Sequence, residues 1–280
     1  MKRRAQPWLG TLVDITINDI DDDVRLDQSF ADAFAAIAEI HRLMSFHDPM
    51  SDISRINRAS VGESVQVAKE IIDVLSAALM LNTVSEGIFN VGIASRLIDY
   101  ELLPPTYQPM PYYVGKDTGL IIEDGTKVRK TRPVLIDVGG IAKGYAVDRA
   151  IDVLQRAGVQ SACINAGGDL RVIGLMPFTI SIRDPATVTG VAQDLTITNV
   201  AMASSAAYFS RRQHANQLVN ALIDGRTGNA VADNLSVSVI APNCMIADAL
   251  TKVIIATQDS HHPLLDRFEA QAFIIEESIC

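Results

Sequence analysis

The chain has 280 residues, with 33 acidic and 24 basic side chains and a formal net charge of −9. A chain of this length buries enough surface to fold without disulfides or a structural metal. Its composition, 48% hydrophobic and 20% charged, excludes an intrinsically disordered protein and one that spans a membrane repeatedly. The acidic balance argues against nucleic-acid binding, which depends on clustered Lys and Arg.

The cysteines and the start of the chain indicate a simple chemical setting. Cys163, Cys244 and Cys280 fit neither a zinc signature nor a disulfide framework, so we expect buried or incidental thiols. The basic residues at positions 2–4 are not followed by the apolar run of a signal peptide. We therefore expect a cytoplasmic protein, or a periplasmic one if a leader has been removed, without a transmembrane segment.

The first half of the chain predicts a strand, two helices and two loops. We expect the strand over residues 8–17. Apolar side chains three and four residues apart predict an amphipathic helix over residues 30–44, and a second helix is expected over 68–84. Residues 46–62, rich in Ser, Asp and Asn, predict a loop. Four prolines within residues 101–118 predict an excursion rather than a central strand.

The second half alternates strands and helices more regularly. A strand over residues 134–138, a helix over 142–157 and a strand over 161–166 predict a βαβ-like unit. Further strands and a last helix are predicted over residues 194–198, 218–223, 235–240 and 245–256. Asn243 is the expected N-cap of that helix. Since no linker is visible, we expect a single domain over residues 1–280.

The most informative motif leads from the end of the 134–138 strand into the next helix, as Asp137-Val138-Gly139-Gly140-Ile141-Ala142-Lys143. The unpaired N–H groups of a helix start and a lysine in its first turn suit a phosphate. An ordinary turn with glycines for geometry explains the motif equally well. Asn165-Ala166-Gly167-Gly168-Asp169 follows one strand later. It is most simply a hairpin turn, although it lies close enough to face the same crevice.

Two later clusters combine acids and bases. Leu222-Ile223-Asp224-Gly225-Arg226-Thr227-Gly228 has the composition of a surface turn. Asp248, Thr251 and Lys252 fall at i, i+3 and i+4 on one face of the last predicted helix. Oxygen ligands so placed could hold Mg²⁺. An ion pair between Asp248 and Lys252 is the simpler interpretation.

Together and in this order, the four clusters resemble the ApbE family, the FAD:protein FMN transferases. The resemblance runs from the Leu9-Gly10-Thr11 turn to the helix at Asp248 and is most specific from Asp137 through Gly174. It implies a single α+β, T-fold-like domain with mixed or antiparallel sheets flanked by helices. It also implies an enzyme that binds FAD and, with Mg²⁺, moves FMN onto a Thr or Ser hydroxyl of a partner flavoprotein, with release of AMP.

The resemblance assigns roles by position. FAD-binding roles fall on Leu9, His47, Ile88, Phe89, Asn90, Asp137, Lys143, Leu222 and Asp224. The implied metal ligands are the Gly140 carbonyl and the Asp248 carboxylate, with Thr251 as a further candidate. Asp248 and Lys252 are the candidate catalytic residues. The segment Ser51–Asn57 is expected to be structural.

The sequence departs from the family pattern at six positions. Leu9 for Met is a mild change and His47 for Tyr a tolerable one, while Asn90 for Asp and Ala94 for Gly narrow or neutralise their wall of the FAD pocket. A more serious one is Ala221, which replaces a His. If that His takes the proton of the acceptor hydroxyl, its loss costs roughly 10²–10⁴-fold in rate. The other is Lys252, which replaces the Thr of the metal helix with an ammonium that has no lone pair to give.

We therefore hypothesise that the Lys252 ammonium occupies the metal position and pairs with Asp248 or with the FAD pyrophosphate. Two alternatives to FMN transfer remain open. One is a flavin-binding relative that has lost transferase activity and acts as a carrier or sensor, which Ala221 and Lys252 both favour. The other is an FAD pyrophosphatase that releases FMN and AMP.

Overall fold

The computed structural model describes residues 1–183, 190–215, 217–231 and 235–276. They pack into two compact units. The described residues of the first unit fall within Met1–His41, Lys143–Ala206 and Asn234–Cys280, and those of the second within Arg42–Ala142 and Ala207–Asp233. The single domain expected over residues 1–280 stays a prediction.

The described part of the chain alternates helices and strands. The α-helices are α1 (Asp23–Met44), α2 (Asp52–Arg58), α3 (Lys69–Val84), α4 (Ala94–Asp99), α5 (Ala142–Arg156), α6 (Cys244–Thr257) and α7 (Pro263–Arg267). The strands are β1 (Lys2–Trp8), β2 (Thr11–Ile17), β3 (Ser64–Gln66), β4 (Leu120–Glu123), β5 (Lys127–Lys130), β6 (Ala162–Ala166), β7 (Asp169–Ile173), β8 (Phe178–Arg183), β9 (Val191–Ile197), β10 (Ala201–Ala206), β11 (Arg212–His214), β12 (Gln217–Val219), β13 (Ile223–Asp224), β14 (Asn229–Ala230), β15 (Leu235–Ala241) and β16 (Gln271–Glu276).

The first unit is built on a seven-stranded antiparallel sheet in the order β1-β2-β6-β7-β10-β15-β16. Side chains along a strand point alternately to its two faces. On β6, Ala162 and Ile164 therefore join a core that includes side chains of α1 and α5, while Cys163 joins a second core with the β8–β9 hairpin. The central strands β6, β7 and β15 are almost entirely buried, whereas six of the seven residues of the edge strand β1 are exposed.

Helix α6 packs against the neighbouring strands β10 and β15 of this sheet. The predicted N-cap is confirmed, because the Asn243 side chain accepts a hydrogen bond from the Ile246 N–H at 2.9 Å. Ten of its residues, Asp248 and Thr251 among them, are buried. No described helix combines the length and apolar character needed to cross a membrane.

The second unit holds the three-stranded sheet β3-β5-β4, the two-stranded sheets β11-β12 and β13-β14, and helices α2 to α4. The extended segment 134–138 joins no strand in the described chain. The Asn57 side chain accepts from the Ile136 N–H at 2.7 Å and donates to the Ile136 carbonyl at 2.9 Å, and the Asp137 N–H donates to the Val91 carbonyl. These hydrogen bonds hold the segment in place without a sheet partner.

Most predicted elements are confirmed. The helices expected over 30–44, 68–84, 142–157 and 245–256 are found in α1, α3, α5 and α6, and the strands over 161–166, 194–198 and 235–240 in β6, β9 and β15. Residues 101–118 contain neither helix nor strand, as predicted. The β6–β7 turn is the expected hairpin.

Two predicted strands are placed wrongly. A third predicted strand, over residues 134–138, is not a strand in the structure. The strand expected over 8–17 is interrupted by a two-residue turn at Leu9 and Gly10, whose positive φ angles of 55° and 74° suit a tight hairpin between β1 and β2. The strand expected over 218–223 is divided between β12 and β13. The βαβ-like unit is also wrong, because the segment before α5 is held by Asn57 and Val91 rather than by a strand.

The loop predicted over 46–62 is wrong in its middle, which forms α2. The Ser51 side chain caps this helix by accepting from the Ser54 N–H at 3.0 Å. Ile53 and Ile56 are buried in the second unit. The expected structural role of Ser51–Asn57 agrees with these contacts.

Two of the three cysteines behave as the sequence predicts. Cys163 and Cys244 are free and buried. Burial raises the pKa of the Cys163 thiol to about 12 and that of the Cys244 thiol well above its usual value, so neither is a reactive thiolate. Cys280 lies outside the described residues.

Candidate functional site

Four charged side chains meet inside the first unit. Lys143 forms an ion pair with Asp169, and Lys252 forms one with Asp248. The two carboxylates are fully buried, while 31% of the Lys143 side chain and 14% of the Lys252 side chain is exposed. We call these four residues the charge cluster. Its two ammonium groups balance its two carboxylates, as buried charges require.

Three elements supply the charge cluster. Lys143 lies in the first turn of α5, and Asp169 begins β7 directly after a turn in which Gly167 and Gly168 have φ angles of 66° and 104°. Such positive φ angles suit glycine and bring the chain back in two residues. Asp248 and Lys252 lie one turn apart on α6.

Helix α5 holds the start of α6 at two points. The Gly144 N–H donates to Asp248 Oδ2 at 3.1 Å, and the Asp148 carboxylate accepts from the N–H groups of Cys244 and Met245 at 3.0 and 2.8 Å. A Cβ at position 144 would lie 2.6 Å from the Cys244 carbonyl carbon and 2.8 Å from the Met245 Cα. Only glycine allows this close approach, which places Asp248 beside the first turn of α5.

Lys252 uses all of its donors within the protein. Its Nζ donates to the Asp248 carboxylate, to the Asp248 carbonyl at 3.0 Å and to Ser205 Oγ at 3.1 Å. The Ser205 and Thr251 hydroxyls are 2.7 Å apart, and Thr251 donates to the Asp248 carbonyl. Since an ammonium has three N–H groups, none remains for a ligand.

Lys143 differs in this respect. Its Nζ donates to Asp169 Oδ2, and within the described chain no further acceptor lies in hydrogen-bond reach of it. The other oxygen of that carboxylate, Asp169 Oδ1, is buried and finds no hydrogen-bond donor among the described residues. The cluster therefore keeps two unused ammonium N–H groups on its more exposed lysine.

The charge cluster also sets the pKa values of its members. Burial disfavours the charged form of Asp248, but the ammonium groups of Lys143 and Lys252 outweigh it and hold the Asp248 pKa below its usual value. Burial and the Asp248 charge raise the pKa of Asp169 against the pull of the two lysines. Burial opposes the charge on Lys143, yet Asp169 and Asp248 raise its pKa, so this lysine is protonated.

The contacts of Asp248 and Thr251 in the charge cluster do not suit the Mg²⁺ site that the resemblance implies. Both oxygens of the Asp248 carboxylate already accept hydrogen bonds, from Lys252 and from Gly144. The Thr251 hydroxyl contacts Ser205 and the Asp248 carbonyl rather than the carboxylate. An ammonium lies where the cation would have to bind, and Mg²⁺ needs oxygen lone pairs around it. Nowhere in the described chain do three or more His, Cys, Asp or Glu side chains gather to hold a metal ion.

The second unit holds a second group of predicted site residues. The Gly225 N–H donates to the Ile88 carbonyl at 2.9 Å, which joins the Ile88-Phe89-Asn90 segment to the turn at Asp224. Tyr113 donates its hydroxyl to the Gly225 carbonyl and accepts from the Asn90 amide at 3.3 Å. Burial, together with the Asp224 charge, raises the pKa of Tyr113 to about 12. The structure thus brings these candidate residues together.

The remaining candidates belong to neither of these two groups. In the second unit, Asp137 is partly buried and its carboxylate accepts from the Gly139 N–H at 2.9 Å. Burial raises the Asp137 pKa, while that hydrogen bond and the charge of the exposed His47 lower it. Gly140 and Leu222 also lie in the second unit, and Leu9 packs on the sheet core of the first.

The sequence indicates Lys143, Asp248 and Lys252 and the ion pair between the last two, which is confirmed, but not the contacts that Asp148 and Ser205 supply. The sequence assigns no site role to Asp148 or Ser205, and it indicates Asp169 only as part of a turn. Asp148 lies five residues after Lys143 in the motif most like the family, so its position was visible although its contact was not. Ser205 carries no local signal, because it reaches Lys252 only through strand pairing and the packing of α6.

The sequence matches the model of the ApbE family over residues 9–274, which is nearly the whole chain. The chain belongs to the ApbE family. A curated relative from Haemophilus influenzae named FAD:protein FMN transferase is 28% identical over 238 residues, which cover 78% of this chain and 69% of the relative. The predictions of this family and of a transferase are therefore confirmed.

Solved ApbE structures have the same fold. The ApbE protein of Thermotoga maritima superposes with a TM-score of 0.84 at 24% identity, over 99% of this chain and 97% of that one. The apo flavinyl transferase ApbE of Pseudomonas stutzeri gives a TM-score of 0.84 at 21% identity, over 99% and 92% of the two chains. The predicted α+β ApbE fold is confirmed, and every described strand pair is antiparallel.

One departure from the ApbE pattern has a local explanation. Asn90 stands where the resemblance expects Asp, and it is buried. Its amide nitrogen donates to Tyr113 Oη and to the Gly115 carbonyl at 2.9 Å, and its oxygen accepts from the Gly92 N–H at 2.7 Å. A carboxylate cannot donate, so this site in this chain requires an amide.

Asp248→Asn should lower the free energy of unfolding by about 3–5 kcal/mol, because it leaves the Lys252 ammonium buried without its carboxylate. Asp248→Asn combined with Lys252→Met should be less damaging than the sum of the single changes, with a coupling of about 1–3 kcal/mol. Urea denaturation of the four proteins measures it. The exposed pair Lys69 and Asp73 on α3 is the control, with a coupling below about 0.5 kcal/mol. Equal coupling at both pairs would contradict the assignment of Asp248 and Lys252 as a buried ion pair.

Asn90→Asp should make stability depend on pH. The new carboxyl is buried and faces two acceptors, so its folded pKa rises above the unfolded value of about 3.9. Below that pH both states are protonated, and as the pH rises above it the unfolded state ionises first, so stability falls. Thermal unfolding at pH 4 and pH 7 should show a larger deficit at pH 7. Asn229→Asp, at an exposed position, serves as the control, and a deficit independent of pH would refute the proposed donor role.

Proposed function

We propose that this chain is an FAD:protein FMN transferase, which moves FMN from FAD onto a Thr or Ser hydroxyl of an acceptor flavoprotein and releases AMP. The family match over residues 9–274 carries the proposal. The curated relatives bear this activity in their name. The partners are then FAD and the acceptor protein.

The charge cluster supports this proposal with a cation suited to an anionic ligand. The Lys143 ammonium has two unused N–H groups within the described chain and lies in the first turn of α5, beside the positive end of the helix. A pyrophosphate is held by charge-assisted hydrogen bonds of this kind. Because Asp169 and Asp248 raise the pKa of Lys143, its charge is present throughout the neutral pH range.

The proposed reaction is a displacement at phosphorus. The acceptor hydroxyl oxygen forms a bond to the phosphorus that carries riboflavin, the bond from that phosphorus to the bridging oxygen breaks, and AMP leaves with the electron pair. The hydroxyl proton is released. Charge on the leaving phosphate grows in the transition state, and a fixed ammonium such as that of Lys143 stabilises it. No residue of the described chain is assigned as the general base.

One incubation distinguishes the proposed activity from its alternatives. The protein is mixed with FAD, Mg²⁺ and a flavoprotein whose acceptor Thr or Ser is unmodified, and the products are separated by denaturing gel and chromatography. We expect a fluorescent acceptor band and one AMP per flavin transferred. Free FMN with AMP would instead show a pyrophosphatase. Intact FAD bound to the protein would show a carrier, and either result would refute transfer.

Lys143→Met should weaken FAD binding by about ten- to a hundredfold, the loss expected for a hydrogen bond to a charged group. Titration of FAD fluorescence measures the dissociation constant. Arg149→Met is the matched control, since Arg149 lies on the same helix and pairs with Asp152 at the surface. Circular dichroism checks that both variants are folded. If Lys143→Met binds FAD as tightly as the natural protein, Lys143 is not the pyrophosphate contact.

A further inference from the structure

The cation that contacts Asp248 is part of the protein chain. The Lys252 ammonium is surrounded by a carboxylate oxygen and a carbonyl oxygen of Asp248 and by the hydroxyl oxygen of Ser205. Oxygens of these three kinds are the ligands that Mg²⁺ takes in proteins. The protein thus builds an oxygen-rich site and fills it with its own ammonium.

We propose that Lys252 permanently takes the place of a divalent cation at Asp248, so that this chain binds no metal ion there and needs none. Only the second part, the metal-free reaction, rests on the proposed function. The first part concerns a site formed by Asp248, Ser205 and Thr251, which exists whatever the reaction is. Removal of the Lys252 ammonium should open this site to a divalent cation.

Charge balance is the first argument. The charge cluster holds two ammonium groups and two carboxylates, and both carboxylates are fully buried. A bound divalent ion would add two positive charges to a neutral buried group and would lie beside the Lys252 ammonium, which repels it. With Lys252 replaced by a neutral residue, the same ion would find a carboxylate without a counter-charge.

Donor geometry is the second argument. All three N–H groups of Lys252 are used by Asp248 and Ser205, so its ammonium is held in place and has no donor left for a pyrophosphate. Of the two partners hypothesised from the sequence, Asp248 is the one it contacts. Lys252 is therefore a positioning residue, whose fixed charge keeps Asp248 and Ser205 in place, while Lys143 has the donors for a ligand.

The hydroxyls complete the candidate site. Ser205 Oγ lies 2.7 Å from Thr251 Oγ1, and Thr251 is fully buried. One consistent set of donors runs from Lys252 to Ser205, from Ser205 to Thr251 and from Thr251 to the Asp248 carbonyl. Without the ammonium, Ser205 Oγ and the Asp248 oxygens regain lone pairs for a cation.

A titration with Mn²⁺ tests the proposal without FAD or acceptor. The electron paramagnetic resonance signal of the free ion measures how much Mn²⁺ is bound. Lys252→Thr should bind one Mn²⁺ at least about tenfold more tightly than the natural protein, because a like charge is removed from the site. Lys252→Thr combined with Asp248→Asn should lose that binding. Lys69→Thr is the matched control, as it removes an exposed lysine that also pairs with an aspartate four residues away.

Tight binding of one Mn²⁺ by the natural protein, lost in Asp248→Asn, would overturn the proposal. So would a folded Lys252→Thr protein that binds no more Mn²⁺ than Lys69→Thr. If Lys252→Thr does not fold, Lys252→Ser replaces it, and the titration of the natural protein is decisive on its own.

The metal-free reaction is tested separately on the natural protein, by FAD affinity and turnover in chelator and in Mg²⁺. We expect the FAD affinity and the turnover each to agree within about twofold between the two conditions, because the proposed reaction uses no bound metal ion. A tenfold or greater loss of FAD affinity in chelator would overturn this part. Failure to bind FAD at all would refute the proposed function instead and would leave the Mn²⁺ result standing.

Discussion

The pairing of buried charges is the constraint on which the rest of this structure depends. An unpaired charge inside a protein is far more costly than any single hydrogen bond is worth, so Asp169 and Asp248 require partners at hydrogen-bond distance. Their partners come from α5 and from α6 itself. The start of α5, the turn before β7 and the first three turns of α6 must therefore assemble together.

The sheet of the first unit makes this assembly possible. Strands β7 and β10 are neighbours, and α6 packs on β10 and β15, so Ser205 at the end of β10 comes within reach of Lys252. Asp148 serves the same purpose from α5, by accepting the first N–H groups of α6 and pairing with Arg171 of β7. The residues of the motif most like the family thus mainly hold the elements around the charge cluster in place.

Local rules explain which features could be predicted from the sequence. Helical periodicity found α1, α3, α5 and α6, and the spacing of four residues predicted the pair of Asp248 and Lys252, because both depend on neighbours along one helix. The segment at 134–138 has the sequence pattern of a strand but pairs with none, because its partner Asn57 lies 79 residues away from Ile136. Ser205 and the amide requirement at Asn90 are likewise products of distant contacts. Only the resemblance to a known family gives information about contacts between residues that are far apart in the sequence.

Gly144 sets the distance between the two helices that carry three of the four residues of the charge cluster. The backbones of α5 and α6 meet at this residue with no room for a Cβ. Any side chain here would push α6 outward and carry Asp248 and Lys252 with it as one body, since both lie on the displaced helix. Their mutual pair would survive while the hydrogen bond from Gly144 and the proximity to Lys143 would not. The absence of a side chain at position 144 therefore keeps the two ion pairs close enough to act as one electrostatic unit.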